Sequence, residues 1–229
     1  MKTDETLEQT NERFDKQMPA NEQEIGWHNK SGIPFEDDHE WLMKGYSAYE
    51  DEDYTEAMKC FKKAIKSNPR CAAAYNNLGF TYAEGKRDYD MAIECYNKAI
   101  KLNPNSADTY YSLGYAYAEG KQDYDRAVIC YKKAIEYYDK EAKSNPNLVE
   151  LYNDLGFAYQ VGEQDYDKAV KCFNKAIKLN PDYASAYYNL GFAYHILDDE
   201  NKAVEYFNKA AQLGDEEAQE WLRDNNITR

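Results

Sequence analysis

The chain has 229 residues, with 42 aspartates and glutamates against 28 lysines and arginines, a formal charge of −14. Such an excess repels polyanions at long range, which argues against nucleic acid or an anionic membrane surface as partner and favours basic or neutral ones. No stretch approaches the ~18 consecutive apolar residues of a membrane span, and the acidic opening lacks the apolar core of a secretory signal, so a cytoplasmic protein is expected.

Residues 1–36 stand apart from the remainder of the chain. The first 40 residues hold eleven acidic and four basic side chains, half of the whole formal charge. A short helix is predicted from Asp4 to Met18, on a thin stripe of Leu7, Phe14 and Met18 that Pro19 ends. Beyond it, Ile25, Trp27, Ile33 and Phe35 would leave apolar surface in water unless they dock. Docking on the first repeat and lying in a groove of the repeats are both open.

From residue 37 onward the sequence is periodic. Gly45, Gly79, Gly114, Gly156 and Gly191 recur at spacings of 34 to 35 residues, once 42. Four of them sit in one frame: Tyr75-x-x-Leu78-Gly79-x-x-Tyr82, Tyr110-x-x-Leu113-Gly114-x-x-Tyr117, Tyr152-x-x-Leu155-Gly156-x-x-Tyr159 and Tyr187-x-x-Leu190-Gly191-x-x-Tyr194. The first copy, Trp41-x-x-Lys44-Gly45-x-x-Ala48, is degenerate. Each is followed by a segment carrying Ala57, Ala92, Ala127, Ala169 or Ala203, with an aromatic four residues on. This period means stacked helical hairpins, each burying its apolar face only against its neighbours.

Local chemistry punctuates each hairpin. Gly85, Gly120 and Gly162 suit the left-handed residue that closes a first helix, and Asp53, Asp88, Asp123, Asp165 and Asp199 suit the N-cap of the second. Copies two to four carry an extra residue in this inter-helix loop. Second helices end at Asn68-Pro69, Asn103-Pro104 and Asn180-Pro181. In the third repeat Asn145-Pro146 arrives seven residues late, about two helical turns, so the helix can lengthen without rotating its buried stripe. The pairs Glu136/Lys140 and Asp139/Lys143 support that extension. It serves either as a partner-specific ridge or as ordinary variation in repeat length. At the end of the chain Trp221 falls in the column of Trp41 and Tyr75, while Asp224 replaces the leucine, which fits a final half-repeat that meets water on one side.

These residues and spacings resemble the tetratricopeptide repeat family from about Asp38 onward, with local Sel-like character at the C-terminal end. The resemblance implies an all-α fold: a right-handed superhelical solenoid of five helical hairpins plus a C-terminal capping helix. The expected organisation is an acidic N-terminal segment over 1–36, partly ordered or docked, and an array over 37–229. Its repeats fall at about 38–70, 71–104, 105–146, 147–181 and 182–214, with the capping helix at 215–226. The resemblance also implies a concave groove lined by the first helix of each pair.

On a helical projection the side of each first helix opposite its core carries an aromatic in every copy: Tyr46, Phe80, Tyr115, Phe157 and Phe192. Flanking positions add Tyr49, Asn76, Tyr111, Asn153, Tyr188 and His195, with Asn77 and Asn189 beside them. Glu50, Glu84 and Glu119 complete the face, joined by Asp108 and Glu150 at helix starts. Together they suggest a peptide site in which rings give contact, amides bond an extended backbone and carboxylates select Lys or Arg. The alternative is that these rings stack along the solenoid and only stabilise it. First helices of repeats two to five contain no lysine or arginine, whereas second helices are rich in lysine. A solvated outer band complementing the helix dipoles is the simple reading of Lys62, Lys63, Lys98, Lys101, Lys132, Lys133, Lys175 and Lys178.

Some members of the family hold acidic chaperone tails in a carboxylate clamp. Here Asn77 matches one clamp position, but Leu42, Tyr46, Asp108 and Ser112 occupy the others, so such tails are not expected partners. The function expected is a non-catalytic scaffold for a protein or peptide partner, monomeric, with no cofactor and no metal. A structural, self-associating or autoinhibited array, its groove filled by residues 1–36, is the alternative. Three scattered histidines, His28, His39 and His195, and the lack of any phosphate loop, zinc-ligand spacing or nucleophile elbow give no case for catalysis. Cys60, Cys95, Cys130 and Cys172 share one column. Stacked helices lie ~8–10 Å apart, too far for disulfides, so these cysteines read as small buried hydrophobes. Cys71 has no evident role.

Overall fold

The computed structural model describes residues 36–140, 147–225 and 227. All regular structure among them is helical, in the order α1 (Glu36–Glu50), α2 (Tyr54–Ser67), α3 (Ala72–Lys86), α4 (Tyr89–Leu102), α5 (Ala107–Tyr115), α6 (Tyr124–Lys140), α7 (Asn147–Ala158), α8 (Tyr166–Leu179), α9 (Ala184–Ile196), α10 (Glu200–Gln212) and α11 (Glu216–Asp224). The helix expected from Asp4 to Met18, the docking of Trp27, Ile33 and Phe35, and the Asp139/Lys143 pair lie outside the described residues. Consecutive helices pack in pairs, α1 on α2 through α9 on α10, with α11 closing against α10. The buried residues form four successive clusters along the chain instead of one centre. That is what repeats with only nearest-neighbour contacts must produce.

Within each hairpin the recurring glycine lets a ring of the second helix lie directly on the first helix. A Cβ on Gly45, Gly114 or Gly156 would come within 2.5, 2.6 and 2.5 Å of the Phe61, Tyr131 and Phe173 rings. On Gly79 and Gly191 it would meet Tyr96 and Phe207 at 2.8 Å. These five rings are at most 1% exposed. The array's interior is thus five copies of a ring on bare backbone.

Gly85, Gly120 and Gly162 do a different job from the one expected. None has a positive φ; the left-handed residues are Arg87, Gln122 and Gln164, with φ of 50, 51 and 53°. A Cβ on these glycines would instead collide with Tyr54, Tyr89 and Tyr124, each tyrosine opening the second helix of the preceding repeat. They therefore set the distance between repeats. The extra residue of copies two to four shows in the same turns. Asp88, Asp123 and Asp165 donate their N–H to the carbonyls of Tyr82, Tyr117 and Tyr159, six residues back, whereas Asp53 and Asp199 reach back five, to Ala48 and Tyr194. After α5 and α7 the widening becomes a π-helical turn, at Ala116–Gly120 and Tyr159–Glu163.

The aspartates then start the second helices. Asp53, Asp88, Asp165 and Asp199 accept from the backbone N–H three residues on, and Asp123 does the same for Arg126. At the other end Asn68, Asn103 and Asn180 leave the helix in extended conformation. Asn68 also donates to buried Asp38 at 2.8 Å, tying the second helix of the first repeat to the start of its first.

The expected lengthening of the third repeat is visible as far as Lys140, with α6 at 17 residues against 14 for α2, α4 and α8. Its added turn is anchored. Tyr137 stacks on Tyr110 at 5.6 Å, and Tyr138, 2% exposed, donates its hydroxyl to Asp108. Asp108, expected among the groove carboxylates, is thereby committed to this contact. At the C-terminus Trp221 stacks on Phe207 at 4.1 Å, with Ala218 and Leu222 buried and Asp224 exposed. α11 covers the last ring as a following repeat would.

The second-helix lysines are not merely a solvated band. In all five repeats one of them lies over the aromatic that opens its own repeat. Lys63 sits 3.7 Å from the Trp41 ring centroid, Lys133 5.1 Å from Tyr110 and Lys175 4.8 Å from Tyr152. Lys98 over Tyr75 and Lys209 over Tyr187, at 5.8 and 5.9 Å, complete the series. Each contact contributes ~0.5–1 kcal/mol and shields an edge of the core.

Two substitutions separate these backbone roles. Gln164→Gly should stabilise by ~1 kcal/mol by relieving a left-handed non-glycine. Gly156→Ala should cost ~1–3 kcal/mol by forcing Phe173 out of place. Chemical denaturation reads both, and a stabilising Gly156→Ala would contradict the packing described.

Candidate functional site

The first helices lie side by side and are laced by polar side chains across repeats. Tyr46 on α1 donates to Asn77 Oδ1 on α3 at 3.2 Å. Tyr111 on α5 donates to Asp154 Oδ2 on α7 at 2.9 Å. Asn189 on α9 donates to Asn153 Oδ1 on α7, also at 2.9 Å. These bonds join α1 to α3 and α5 through α7 to α9, and the residues singled out on this face divide by role.

The aromatic column is open to water at two of its five positions. Phe80 and Phe192 are 41% and 38% exposed, while Tyr46, Tyr115 and Phe157 are partly buried. Among the described residues no two members of this column form a ring pair. Their ring partners lie off the column: Tyr49 tilts against Phe80 at 5.4 Å, Tyr124 meets Phe157 at 6.3 Å and Phe61 meets Tyr46 at 6.0 Å. Self-stacking along the column is thus not what holds it. Tyr111 and Tyr188 rest on the core rings Tyr131 and Phe207 and contribute to the floor. Glu50, Glu84 and Glu119 are exposed. α3 runs on to Lys86 in its last turn, so the layer is not wholly free of lysine.

The amides behave differently from one another. Asn153 is buried and its carbonyl is taken by Asn189, so this pair serves the seam between repeats four and five. On α3, by contrast, Asn76 Oδ1 and Asn77 Nδ2 are buried with no hydrogen-bond partner among the described residues. Gln160 Oε1, in the turn after α7, is a third such atom. Unsatisfied buried polar atoms cost ~1–3 kcal/mol each, so they mark places where a further partner would be stabilising. Asn76 and Asn77 share a helical face with exposed Phe80, four and three residues on.

His195 is engaged, its Nδ1 2.6 Å from Glu200 Oε1 and its ring 5.6 Å from Trp221. Asp199 caps α10 and pairs with Lys202 at 2.7 Å. No group of three potential ligands for a metal occurs among the described residues. The four aligned cysteines are buried free thiols, and burial raises Cys95, Cys130 and Cys172 to about 11, which makes them poor nucleophiles at neutral pH.

Asp154 is the residue that sequence reasoning passed over, although an acid in the column of Asn77, Ser112 and Asn189 could have signalled it. Burial lifts its carboxyl to about 6; hydrogen bonds from Tyr111 and Asn153 oppose the shift, and Glu150 and Glu119 add to it. Burial first, and Asp154 after it, raise the hydroxyls of Tyr111 and Tyr183. Since its folded value lies above the ordinary ~3.9, the protonated form is favoured in the native state, and the stability it gives is lost as pH rises through about 6. At neutral pH the protein carries a disfavoured charge here. Asp154→Asn should therefore stabilise by ~1–3 kcal/mol at about pH 7.5 and by much less near pH 4. Thermal unfolding at the two pH values checks this, and equal shifts at both would refute it.

An array of helical hairpins with one open polar and aromatic layer defines the class of helical-repeat scaffolds. The chain belongs to the tetratricopeptide repeat family: one model, described as "TPR repeat", matches residues 45–84, 86–119 and 163–197, and another, "Tetratricopeptide repeat", matches 107–141 and 184–213. Among solved structures it is similar to MamA, at 27% identity and TM-score 0.68 over 80% of this chain and 95% of that one. MamA from Desulfovibrio magneticus RS-1 is 24% identical, with TM-score 0.68 over 78% of this chain and 95% of its own. YrrB, described as a TPR protein with an unusual peptide-binding site, is 21% identical, with TM-score 0.65 over 91% and 94% of the two chains. Among curated proteins no sequence matches. The family and these neighbours support a protein–protein interaction scaffold, and such proteins are typically non-catalytic. No helix among the described residues is long and apolar enough to cross a membrane.

Proposed function

We propose that the first-helix layer is the working surface of a cytoplasmic scaffold and that it captures a basic, aromatic-bearing peptide segment of a partner protein. The observation that carries this reading is the unpaired Asn76 Oδ1 and Asn77 Nδ2 next to exposed Phe80. Once the two amide side chains swing outward, an extended peptide offers an N–H to the first and a C=O to the second whatever its sequence, while its side chains meet the ring. Tyr46, Tyr49, Tyr111, Tyr115, Phe157, Tyr188, Asn189 and Phe192 extend the surface, with Asn153 and His195 holding it in shape.

Charge selects the ligand. Glu50, Glu84 and Glu119 are exposed, and Asp154 ionises only at a cost that a nearby lysine or arginine would offset. The match to YrrB adds a peptide-binding precedent on the same fold. An acidic tail would be repelled by the same carboxylates.

Fluorescence anisotropy with a labelled peptide alternating lysine and phenylalanine tests the proposal. Phe80→Ala/Phe192→Ala, which changes two exposed rings, should weaken binding about tenfold, ~1.4 kcal/mol. Lowering the pH from about 7.5 to about 5 should weaken it again as Asp154 takes up a proton, and added salt should do the same. Unchanged affinity in the double variant at equal helicity would refute the site.

A further inference from the structure

The second-helix side carries a feature of opposite sign. Between α6 and α8, floored by α7, lies an open cleft of about 480 Å³, within the ~300–1,000 Å³ typical of ligand pockets. Lys168, Lys171 and Lys175 of α8 and Lys132 of α6 line it, over Ile135 and Leu155. Along α8 these lysines fall at positions i, i+3 and i+7, so they share one face. In no other second helix are all three positions lysine: the counterparts of Lys171 are Lys59, Glu94, Ile129 and Glu205, and those of Lys168 are Glu56, Met91, Arg126 and Lys202.

Of the four lysines in this cleft, only Lys168 is ion-paired among the described residues. Lys132, Lys171 and Lys175 make no ion pair among the described residues, and the ammonium of Lys175 instead lies over Tyr152. Lys168 is held by Glu163 and Asp165, both at 2.9 Å. Of the two acids on the lining, Glu136 is already paired with Lys140 at 2.8 Å, which leaves Asp139. Like charges one turn apart on a helix repel, so the stripe has a standing cost that an anionic partner would remove. At physiological ionic strength the Debye length is ~8 Å, so the local lysines and not the distant carboxylates of the first-helix layer set the field here.

We infer that this cleft docks an acidic peptide segment that inserts an aliphatic or aromatic side chain onto Ile135 and Leu155 while its carboxylates meet Lys132, Lys171 and Lys175. The floor is apolar, which suits a side chain. The ring faces of Tyr152 and Tyr159 are already covered by Lys175 and Lys168, so they are not platforms on which nucleic-acid bases would stack. The scaffold then has two surfaces of opposite selectivity, one per helix layer.

Anisotropy on the full chain tests this with three labelled probes: a polyglutamate peptide with one central leucine, its polyglutamine counterpart, and polyuridine. The wild type should bind the glutamate peptide and neither of the others. Lys132→Glu/Lys171→Glu, at exposed and unpaired positions, should weaken that binding by about tenfold or more and leave binding of the lysine–phenylalanine peptide intact. Phe80→Ala/Phe192→Ala should leave the glutamate peptide unaffected. No binding by the wild type, equal binding by the lysine variant, or tighter binding of polyuridine would overturn the inference.

Discussion

The array depends on one contact made five times, a second-helix ring resting on the backbone of a first-helix glycine. Without a Cβ at Gly45, Gly79, Gly114, Gly156 or Gly191, Phe61, Tyr96, Tyr131, Phe173 and Phe207 approach closer than any other residue type would permit. Close approach brings the two helices of a hairpin together, which in turn directs the other side of the first helix outward. The open layer of rings and amides is a consequence of how tightly the opposite side is packed. A second set of glycines, Gly85, Gly120 and Gly162, applies the same device between repeats, against Tyr54, Tyr89 and Tyr124.

Much of this was legible in the chain because it is written locally or periodically. The glycine column, the aspartate caps and the Asn-Pro stops each need only their own repeat to be understood. The misread features all depend on a neighbour. Gly85, Gly120 and Gly162 stand near helix ends and suggest a left-handed turn, but their reason is a tyrosine on the previous repeat, and the left-handed conformation falls instead on Arg87, Gln122 and Gln164. The anchor of the lengthened third repeat is likewise a contact across the repeat, Tyr138 donating to Asp108. Helical projection puts the second-helix lysines in water, yet the first helix of the same repeat supplies an aromatic face for one of them each time. Within the candidate site, projection identified the exposed rings, whereas Asp154 required knowing that Tyr111 reaches across from the preceding repeat.

The two layers divide the electrostatics. The first helices carry few basic residues, so their carboxylates have little local positive charge to meet, and Asp154, half-buried beside Tyr111, is ionised at a cost in stability. Lysines gather on the second helices, many of them engaged by rings and short-range carboxylates, while Lys132 of α6 and Lys171 of α8 make no ion pair or ring contact among the described residues. A formal charge of −14 averaged over the chain conceals this separation. Selectivity follows from which layer a partner meets, since charge acts over only ~8 Å at physiological salt.

The most direct test of the account is hydrogen–deuterium exchange of the full chain with and without the lysine–phenylalanine peptide, because it reports on every helix at once. Slowed exchange concentrated in α3, α5 and α7, with α6 and α8 unchanged, is the result predicted. Protection confined to the second helices, or none at saturating peptide, would contradict it.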